Sequence, residues 1–448
     1  MSKTFPTVVA VAPPRSETDV ERQVRMRWWT EARFGMFIHW GLYALPARHE
    51  WVRSRERIGD EAYGRYFAHF DPDLYDPRAW ARAARTAGMK YFVITTKHHD
   101  GFCLWDSKLT DFKATRTPCG RDLIKPLVEA LREEGLRVGF YHSLLDWHHP
   151  EYTVDQFHPM RDDKAFVEAA RPRDLDKYAG YLFAQVLELL TGYGRIDTLF
   201  LDYSFPGPGG KGRNEWKSER LLKMIRELQP GIIVNDRLDL LDVPGGWDYR
   251  TPEQFMPREW VKADGKPVPW ETCQTFSGSW GYDRDESTWK SVPQLITLLI
   301  ETVSKGGNLL LNVGPTARGA FDGRAMDRLR GIGAWMDMNG RSIYGCTQAP
   351  GGFLAPANCL LTHNPEKKRL YVHVLAWPMG ALTLDGYAGR VEYAQLLHDA
   401  SEILFTEKAG EIGFMPGERG EEAENTLTLK LPVRKPDVEV PVVEIFLK

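Results

Sequence analysis

The sequence predicts an α/β fold in which a TIM-like (β/α)8 barrel is followed by a C-terminal antiparallel β-sandwich. Over roughly 300 residues, short apolar runs alternate about eight times with helical stretches, a pattern typical of parallel strands joined by helices. After about residue 344 the helical periodicity ends, and segments of alternating apolar and polar residues take over. We therefore expect a barrel with an N-terminal arm at residues 1–344 and a β-sandwich domain at residues 345–448.

The predicted elements follow one another with turn signals between them. Residues 1 to about 20 are rich in proline and polar residues and predict an arm, and helical spacing begins near Val20. The predicted barrel strands are residues 33–41, 91–96, 136–141, 198–201, 231–237, 247–251, 271–276 and 307–314, of which the sixth and seventh are the weakest. The predicted helices are residues 79–87, 123–134, 175–190, 214–228, 291–304 and 323–338.

Two points complete the fold prediction: the strands of the C-terminal part, and an alternative to the barrel for the first part. The alternating C-terminal segments are residues 369–375, 381–384, 391–396, 426–431 and 440–447. For the first part, the alternative is a doubly wound open sheet. No Gly-x-Gly-x-x-Gly follows the first strand, which argues against the dinucleotide-binding form of that alternative.

Composition narrows the class of protein and its partners. The formal net charge of −3 gives no reason to expect nucleic acid or an anionic membrane as a partner. Five scattered cysteines without a Cys-x-x-Cys pair argue against a cysteine-built zinc site and a disulfide framework. No apolar run approaches the ~20 residues of a membrane span, and the first residues do not resemble a signal peptide. A cytoplasmic protein is the simplest interpretation, although a trimmed leader would leave the same sequence; homo-oligomerisation stays open.

Polar residues stand at the ends of the predicted barrel strands. Asp202 follows the apolar run 198–201, and a carboxylate there is costly unless it is paired, hydrated or used in chemistry. Because the C-terminal ends of barrel strands share one face, these side chains should converge on one pocket. We therefore interpret Asp202 as a catalytic nucleophile. The residues at or just beyond the other strand ends are His39, His98, His99, Tyr141, His142, Asn235, Asp236, Arg237 and Glu253.

A second carboxylate in this pocket would suit glycoside hydrolysis. In that reaction one carboxylate attacks or stabilises the anomeric carbon, and another protonates the leaving oxygen. Asp202 is the first, and the candidates for the second are Glu253, Glu271 and Glu50. Residue spacing alone does not decide between Glu253 and Glu271.

Seven segments carry a family resemblance that spans about residues 25–345. They are residues 33–41 (RFGMFIHWG), 49–51 (HEW), 91–102 (YFVITTKHHDGF), 235–237 (NDR), 251–253 (TPE), 280–282 (WGY) and 308–315 (NLLLNVGP). With these segments the chain resembles the retaining α-L-fucosidases of glycoside hydrolase family 29, and KHHDGF is the most specific of them. The resemblance implies an exo-acting enzyme for a small carbohydrate substrate, with a (β/α)8 barrel and with neither a metal nor another cofactor.

The resemblance also implies roles for individual residues. It makes Asp202 the nucleophile and, through the Thr-Pro-Glu segment, Glu253 the general acid/base. The fucose contacts that it implies are His39, Glu50, Trp51, His98, His99, Tyr141 and Arg237. Family members often have Trp-Phe-Asp or Trp-Asn-Asp at the nucleophile, where this chain has Phe200-Leu201-Asp202. Phe200 therefore keeps an aromatic wall in the predicted pocket but supplies no indole N–H.

Three other functions stay open at this point. A related exo-glycosidase could act on α-L-galactosides, since an apolar pocket rejects one extra hydroxyl only modestly. A metal-dependent barrel hydrolase would use His98 and His99, although neighbouring residues of a strand point to opposite sides and reach one ion only beyond the strand end. A carbohydrate-binding protein without catalysis would not need two carboxylates. Linkage and aglycone preference are not determined by the sequence, nor is the balance between transglycosylation and hydrolysis.

Overall fold

The computed structural model describes residues 17–407 and 425–448 of the chain. All but the last four residues of the predicted arm at residues 1–20 lie outside these ranges. Within the described ranges, no helix is both long enough and apolar enough to cross a membrane. The cytoplasmic location and the oligomeric state stay predictions.

A curled sheet of parallel strands forms the first part of the structure. The strands there are β1 (Phe34–Ile38), β2 (Tyr91–Lys97), β3 (Arg137–Ser143), β4 (Thr198–Asp202), β5 (Ile233–Val234), β6 (Lys262–Ala263), β7 (Lys266–Pro267), β8 (Glu271–Thr275) and β9 (Asn308–Val313). Seven of them form the sheet in the order β5-β4-β3-β2-β1-β9-β8, and β6 pairs with β7 as a short hairpin. Strands β1, β2, β4, β8 and β9 are buried along their whole length, as expected of parallel strands covered on both faces. The predicted TIM-like architecture is confirmed.

Isolated backbone bridges connect the two edges of this sheet. Asn235, just beyond β5, pairs with Tyr249, and the next residue, Arg250, pairs with Trp270 just before β8. This short segment therefore lies between β5 and β8, where an eighth barrel strand would be. The strand predicted at residues 247–251 is thus reduced to single bridges, since the proline that follows it has no N–H to continue a ladder.

The predicted helices are present, with most ends shifted by one or two residues. The helices are α1 (Asp19–Ala32), α2 (Val52–Arg55), α3 (Asp60–Ala68), α4 (Pro77–Thr86), α5 (Ile124–Glu133), α6 (Lys164–Ala169), α7 (Leu175–Gly192), α8 (Arg213–Trp216), α9 (Ser218–Leu228), α10 (Val292–Ser304) and α11 (Gly323–Asn339). The helix predicted at residues 214–228 is divided into α8 and α9 at Lys217, whose φ of 51° is left-handed. Side-chain caps set several starts: Thr18 caps α1, Asp76 caps α4 and Ser291 caps α10.

Antiparallel strands form the C-terminal part. They are β10 (Thr347–Gln348), β11 (Cys359–Asn364), β12 (Arg369–Val374), β13 (Ala381–Asp385), β14 (Val391–Leu396), β15 (Phe405–Thr406), β16 (Thr426–Lys430) and β17 (Val442–Leu447). One sheet has the order β10-β11-β12-β17-β14 and the other β13-β16-β15. All five predicted segments are strands, whereas β10, β11 and β15 were not predicted. Two of these are only two residues long, and adjacent leucines at 360 and 361 obscure the alternation in β11.

Apolar packing joins these parts. The two C-terminal sheets share one buried core with side chains from both. The other face of the five-stranded sheet packs on the barrel, since Tyr371 and Val442 cluster with the buried residues of its helices. Trp335 Nε1 of α11 also donates a hydrogen bond to the carbonyl of Val440 at 3.0 Å. The predicted division between residues 344 and 345 stays a prediction.

Candidate active site

A cavity that opens to solvent, with about 350 Å³ of empty space including its mouth, lies at the C-terminal end of the parallel strands. All ten residues assigned to the site from the sequence line it, because they lie at the ends of strands that finish at one face of the barrel or in the loops beyond those ends. They are His39, Glu50, Trp51, His98, His99, Tyr141, Phe200, Asp202, Arg237 and Glu253. Phe37, Tyr203, Cys273 and Trp280 complete the lining. The structure thus brings these ten together, whereas His142, Asn235 and Asp236, which were expected at the same pocket, do not line it. The role of each residue stays a proposal.

Asp202 is the last residue of β4, a strand that is buried along its whole length. Its Oδ2 accepts a hydrogen bond from the Tyr141 hydroxyl at 2.8 Å, and its Oδ1 accepts one from Arg237 Nη1 at 2.6 Å. Burial by itself would raise the pKa of this carboxyl, but the charge of Arg237, aided by the hydrogen bonds from Tyr141 and Arg237, outweighs burial and holds the pKa below its ordinary value. Asp202 is therefore an anion in the cavity, which is the state that a carboxylate nucleophile needs.

Arg237 joins the two carboxylates of the cavity. Its Nη1 donates to Asp202, and its Nη2 lies 2.7 Å from Glu253 Oε2. Its Nε donates to Thr251 Oγ1 at 3.0 Å, and the ring of Phe200 lies 5.0 Å from the centre of the guanidinium. These contacts orient the guanidinium on both sides. Because one planar group contacts both carboxylates, Asp202 and Glu253 border the same small space.

Glu253 is more open to solvent than Asp202. Its side chain is 39% exposed, against 11% for that of Asp202. The backbone at this position is held by a parallel bridge to Cys273, and the N–H of Gln254 donates to the Cys273 carbonyl at 3.0 Å. A general acid/base must exchange protons with water, whereas a nucleophile must keep its charge, so the two exposures fit these two tasks.

Glu271, a candidate for the second carboxylate, does not line this cavity. It is the first residue of β8, at the opposite end of the barrel, and accepts a hydrogen bond from the Tyr91 hydroxyl at 2.5 Å. Burial raises the pKa of Glu271 to about 8 against the opposing hydrogen bonds of neighbouring aromatic side chains. The geometry therefore favours Glu253 over Glu271, a choice that residue spacing left open.

Glu50, the third candidate, lines the cavity and is 1% exposed. Its Oε2 accepts a hydrogen bond from the N–H of Gly281 at 2.8 Å, and its Oε1 lies 3.0 Å from His49 Nδ1. Burial raises the pKa of Glu50 to about 7, partly offset by the Gly281 hydrogen bond. Glu50 is thus anchored to the loop that carries Trp280, which suits a fixed contact to a sugar better than proton exchange with water.

Three buried histidines form a polar wall. Burial lowers the pKa of His39 to about 4 and that of His99 to about 3, and it lowers the pKa of His98 well below the ordinary value. All three rings are therefore neutral near pH 7, and each can donate one hydrogen bond and accept another. Over residues 17–407 and 425–448, no group of three or more His, Cys, Asp and Glu residues is placed to hold a metal ion.

Aromatic rings form the apolar walls. Phe200 stacks on Tyr141 with ring centroids 5.8 Å apart, and Phe37 lies 5.4 Å from Phe200. The ring of Trp280 lies 5.1 Å from that of His39. Apolar faces and hydrogen-bonding edges therefore alternate around the cavity, as expected where a sugar presents both C–H faces and hydroxyl groups.

Four lining residues were missed by the sequence analysis, and three of them carried a signal. Phe37 precedes His39 by two positions and therefore shares its face of β1. Tyr203 directly follows the proposed nucleophile, and Trp280 belongs to a segment of the family resemblance. Cys273 lies in the middle of β8, where a small buried side chain gives no sign of function.

Comparisons with known proteins identify alpha-L-fucosidases as similar proteins. A family model described as Alpha-L-fucosidase matches residues 8–341. Plasma alpha-L-fucosidase from Rattus norvegicus is 30% identical over 425 residues, which cover 88% of each chain. Alpha-L-fucosidase isoenzyme 1 from Paenibacillus thiaminolyticus is 46% identical, with a TM-score of 0.88 over 95% of this chain and 99% of that one. A GH29 alpha-L-fucosidase from Bacteroides thetaiotaomicron, solved as a trapped covalent intermediate in complex with 2-fluoro-fucosyl fluoride, is 27% identical, with a TM-score of 0.80 over 99% and 100%.

Proposed function

The chain belongs to the alpha-L-fucosidase family of glycoside hydrolases, and we propose that it is an exo-acting, retaining enzyme. It releases terminal α-L-fucosyl residues from oligosaccharides or glycoconjugates. The observation that supports the mechanism is the pair of carboxylates, Asp202 and Glu253, on one guanidinium in one cavity. Retaining glycosidases need two carboxyl groups close together, about 5 Å apart, because one attacks the carbon whose leaving group the other protonates.

The first half-reaction uses both carboxylates. An oxygen of Asp202 attacks the anomeric carbon of the fucosyl residue while the bond to the leaving oxygen breaks. Glu253, in its protonated form, gives its proton to that oxygen, so the aglycone leaves as a neutral alcohol.

The second half-reaction reverses these roles. Glu253, now a carboxylate, takes a proton from a water molecule whose oxygen attacks the anomeric carbon. The ester bond to Asp202 breaks, and Asp202 recovers its charge beside Arg237 and Tyr141. Two displacements at one carbon restore its configuration, so the product is α-L-fucose.

The cavity lining suits a 6-deoxy sugar. The neutral rings of His39, His98 and His99 can bond the hydroxyl groups, and Glu50 adds a buried carboxyl. The apolar surface of Phe37 and its aromatic neighbours offers a dry wall for the methyl group. A pocket lined mostly by buried side chains has room for one terminal sugar, which supports exo-action.

The test is chemical rescue of the nucleophile. The Asp202→Gly variant should lose on the order of 10³-fold or more in kcat/KM on a nitrophenyl α-L-fucoside, because no covalent intermediate can form. Added azide should enter the space that the side chain leaves and restore release of the nitrophenol. The product should be the β-L-fucosyl azide, identified by proton NMR, since only one displacement occurs.

Glu271→Gln is the matched control, because this carboxyl lies at the far end of the barrel and is kept protonated by burial. It should retain the wild-type kcat/KM. Release of β-L-fucose as the first product of the wild-type enzyme would contradict the retaining mechanism. Equal or better turnover of the nitrophenyl α-L-galactoside would instead make the substrate the related galactoside.

A further inference from the structure

The hydrogen-bonding state of His39 and His99 is set by residues behind the cavity. A neutral imidazole donates from one ring nitrogen and accepts at the other, and the partner of one nitrogen decides the role of the other. Both rings line the cavity, and in both the Nδ1 atom has a partner in the barrel wall. The identity of that partner therefore determines what Nε2 offers to a ligand.

Asn312, in β9, is the partner of His39. Its Nδ2 donates to the carbonyl oxygen of Trp280 at 2.6 Å. A carbonyl can only accept, so this contact fixes the orientation of the amide and turns Oδ1 toward His39 Nδ1, 2.7 Å away. An amide oxygen also only accepts, so His39 Nδ1 must carry the proton and Nε2 is left as an acceptor.

Ser143, the last residue of β3, does the same for His99 by a different route. Its hydroxyl donates its single proton to the carbonyl of Leu145 at 2.9 Å. Toward His99 Nδ1, 2.6 Å away, Ser143 Oγ can therefore only accept. His99 thus carries its proton on Nδ1 as well, and its Nε2 is also an acceptor.

We propose that Asn312 and Ser143 are positioning residues that hold His39 and His99 as Nδ1–H tautomers, so that both present Nε2 as an acceptor to hydroxyl groups of the bound sugar. The two residues lie on different strands, and each hydrogen-bond chain ends on a backbone carbonyl, which cannot reverse its role. Burial keeps both rings neutral, in keeping with this arrangement. The assignment of the tautomers stands on the hydrogen bonds alone, whereas the contact to fucose rests on the proposed function.

Nitrogen NMR of ¹⁵N-histidine-labelled enzyme tests the tautomers without any turnover. Signals of His39 and His99 are identified by their loss in His39→Gln and His99→Gln variants. We expect a protonated Nδ1 and an unprotonated Nε2 for both rings at neutral pH. A protonated Nε2 on either ring would overturn the assignment, whether or not the protein hydrolyses fucosides.

Fluorinated substrates test the acceptor role toward the sugar. A C–F group cannot donate a hydrogen bond, so the wild-type enzyme should lose about tenfold in kcat/KM on an aryl α-L-fucoside whose 3- or 4-hydroxyl, whichever faces His39, is replaced by fluorine. In Asn312→Asp the carboxylate favours the charged His39 ring, whose Nε2 then donates. This variant should discriminate less against that fluoro-fucoside below neutral pH, and its KM for the parent fucoside should rise there.

Asn364→Asp in β11 makes the same charge change outside the barrel and should keep the wild-type discrimination and pH profile. Ser143→Ala should raise KM about tenfold with a smaller change in kcat, and its His99 signals should show both tautomers. Unchanged discrimination and an unchanged pH profile of KM in Asn312→Asp would overturn the role of Nε2 as a sugar acceptor. The wild-type rate on the parent fucoside separates this failure from a failure of the proposed function.

Discussion

The two ends of the barrel treat a buried carboxyl in opposite ways. At the C-terminal end, Asp202 accepts a hydrogen bond from Tyr141, and its pKa lies below the ordinary value despite burial. At the N-terminal end, Glu271 accepts one from Tyr91, and burial raises its pKa to about 8. Both groups are buried and both have a tyrosine partner. The difference is Arg237, which contacts Asp202 and lies at the other end of the barrel from Glu271.

This comparison distinguishes the effect of burial on the pKa of a carboxyl from the effect of a neighbouring cation. Burial leaves the Glu271 carboxyl protonated even though neutral hydrogen bonds oppose it, whereas one guanidinium at hydrogen-bond distance reverses the balance at Asp202. Of the two buried carboxyls, only the one beside a cation is therefore ionised near neutral pH. The same guanidinium also contacts Glu253, so it joins the two carboxylates proposed for catalysis and keeps one of them, Asp202, ionised.

The largest expected effect is on kcat/KM and comes from removing the cation Arg237, because Asp202 would then resemble Glu271 in its surroundings. In Arg237→Met we expect kcat/KM at neutral pH to fall by on the order of 10²-fold or more, because burial then raises the pKa of Asp202. The acidic limb of the kcat/KM profile should move to higher pH, since Asp202, the proposed nucleophile, becomes an anion only there. Steady-state assays on a nitrophenyl α-L-fucoside from acidic to alkaline pH measure both effects.

Arg226→Met is the control for that variant. Arg226 contacts the buried Asp248 at 2.7 Å, away from the cavity, so its loss also breaks a buried ion pair. It should lower stability while the pH profile of kcat/KM stays in place. An Arg237→Met profile that coincides with that of wild type would show that the guanidinium does not set the charge of Asp202.

Removing the hydroxyl groups of Tyr141 and Tyr91 should have smaller effects, on activity at one end of the barrel and on stability at the other. Tyr141→Phe removes one hydrogen bond from Asp202 and should lower kcat/KM by about tenfold. Tyr91→Phe removes the corresponding bond from Glu271 and should instead lower the free energy of unfolding by about 1 kcal/mol, with kcat/KM unchanged. Kinetics and denaturant unfolding of both variants measure this. Equal losses of activity in the two would erase the functional difference between the ends.

The smallest effect is on the pH dependence of stability. The pKa of Glu271 is raised in the folded state, so its contribution to stability is fully present below the ordinary pKa of 4.5 and is lost as pH rises through about 8. Glu271→Gln cannot ionise. Its free energy of unfolding, measured with urea at several pH values, should rise relative to that of wild type by on the order of 1 kcal/mol per pH unit across this range. Parallel curves for the two proteins would mean that Glu271 is not held neutral.

Much of this fold was predictable because periodicity and turn residues are local signals. The strand at residues 91–96 and the helix at residues 175–190 are present with nearly the predicted bounds. The strand at residues 247–251 and the unbroken helix at residues 214–228 were wrong. Their outcome depends on strand pairing and on the left-handed backbone at Lys217, which apolar spacing does not encode.

The sequence by itself determined which residue types stand at the strand ends, and hence that Asp202 and the histidines meet at one face. It also determined the family, because the matching segments are contiguous stretches of chain. Only the tertiary structure decided that Glu253 and not Glu271 shares the cavity with Asp202. Only it decided that Asn312 and Ser143 stand behind His39 and His99. The physical reason is that charge and proton position depend on partners within about 3 Å, and these partners come from strands far apart in the chain.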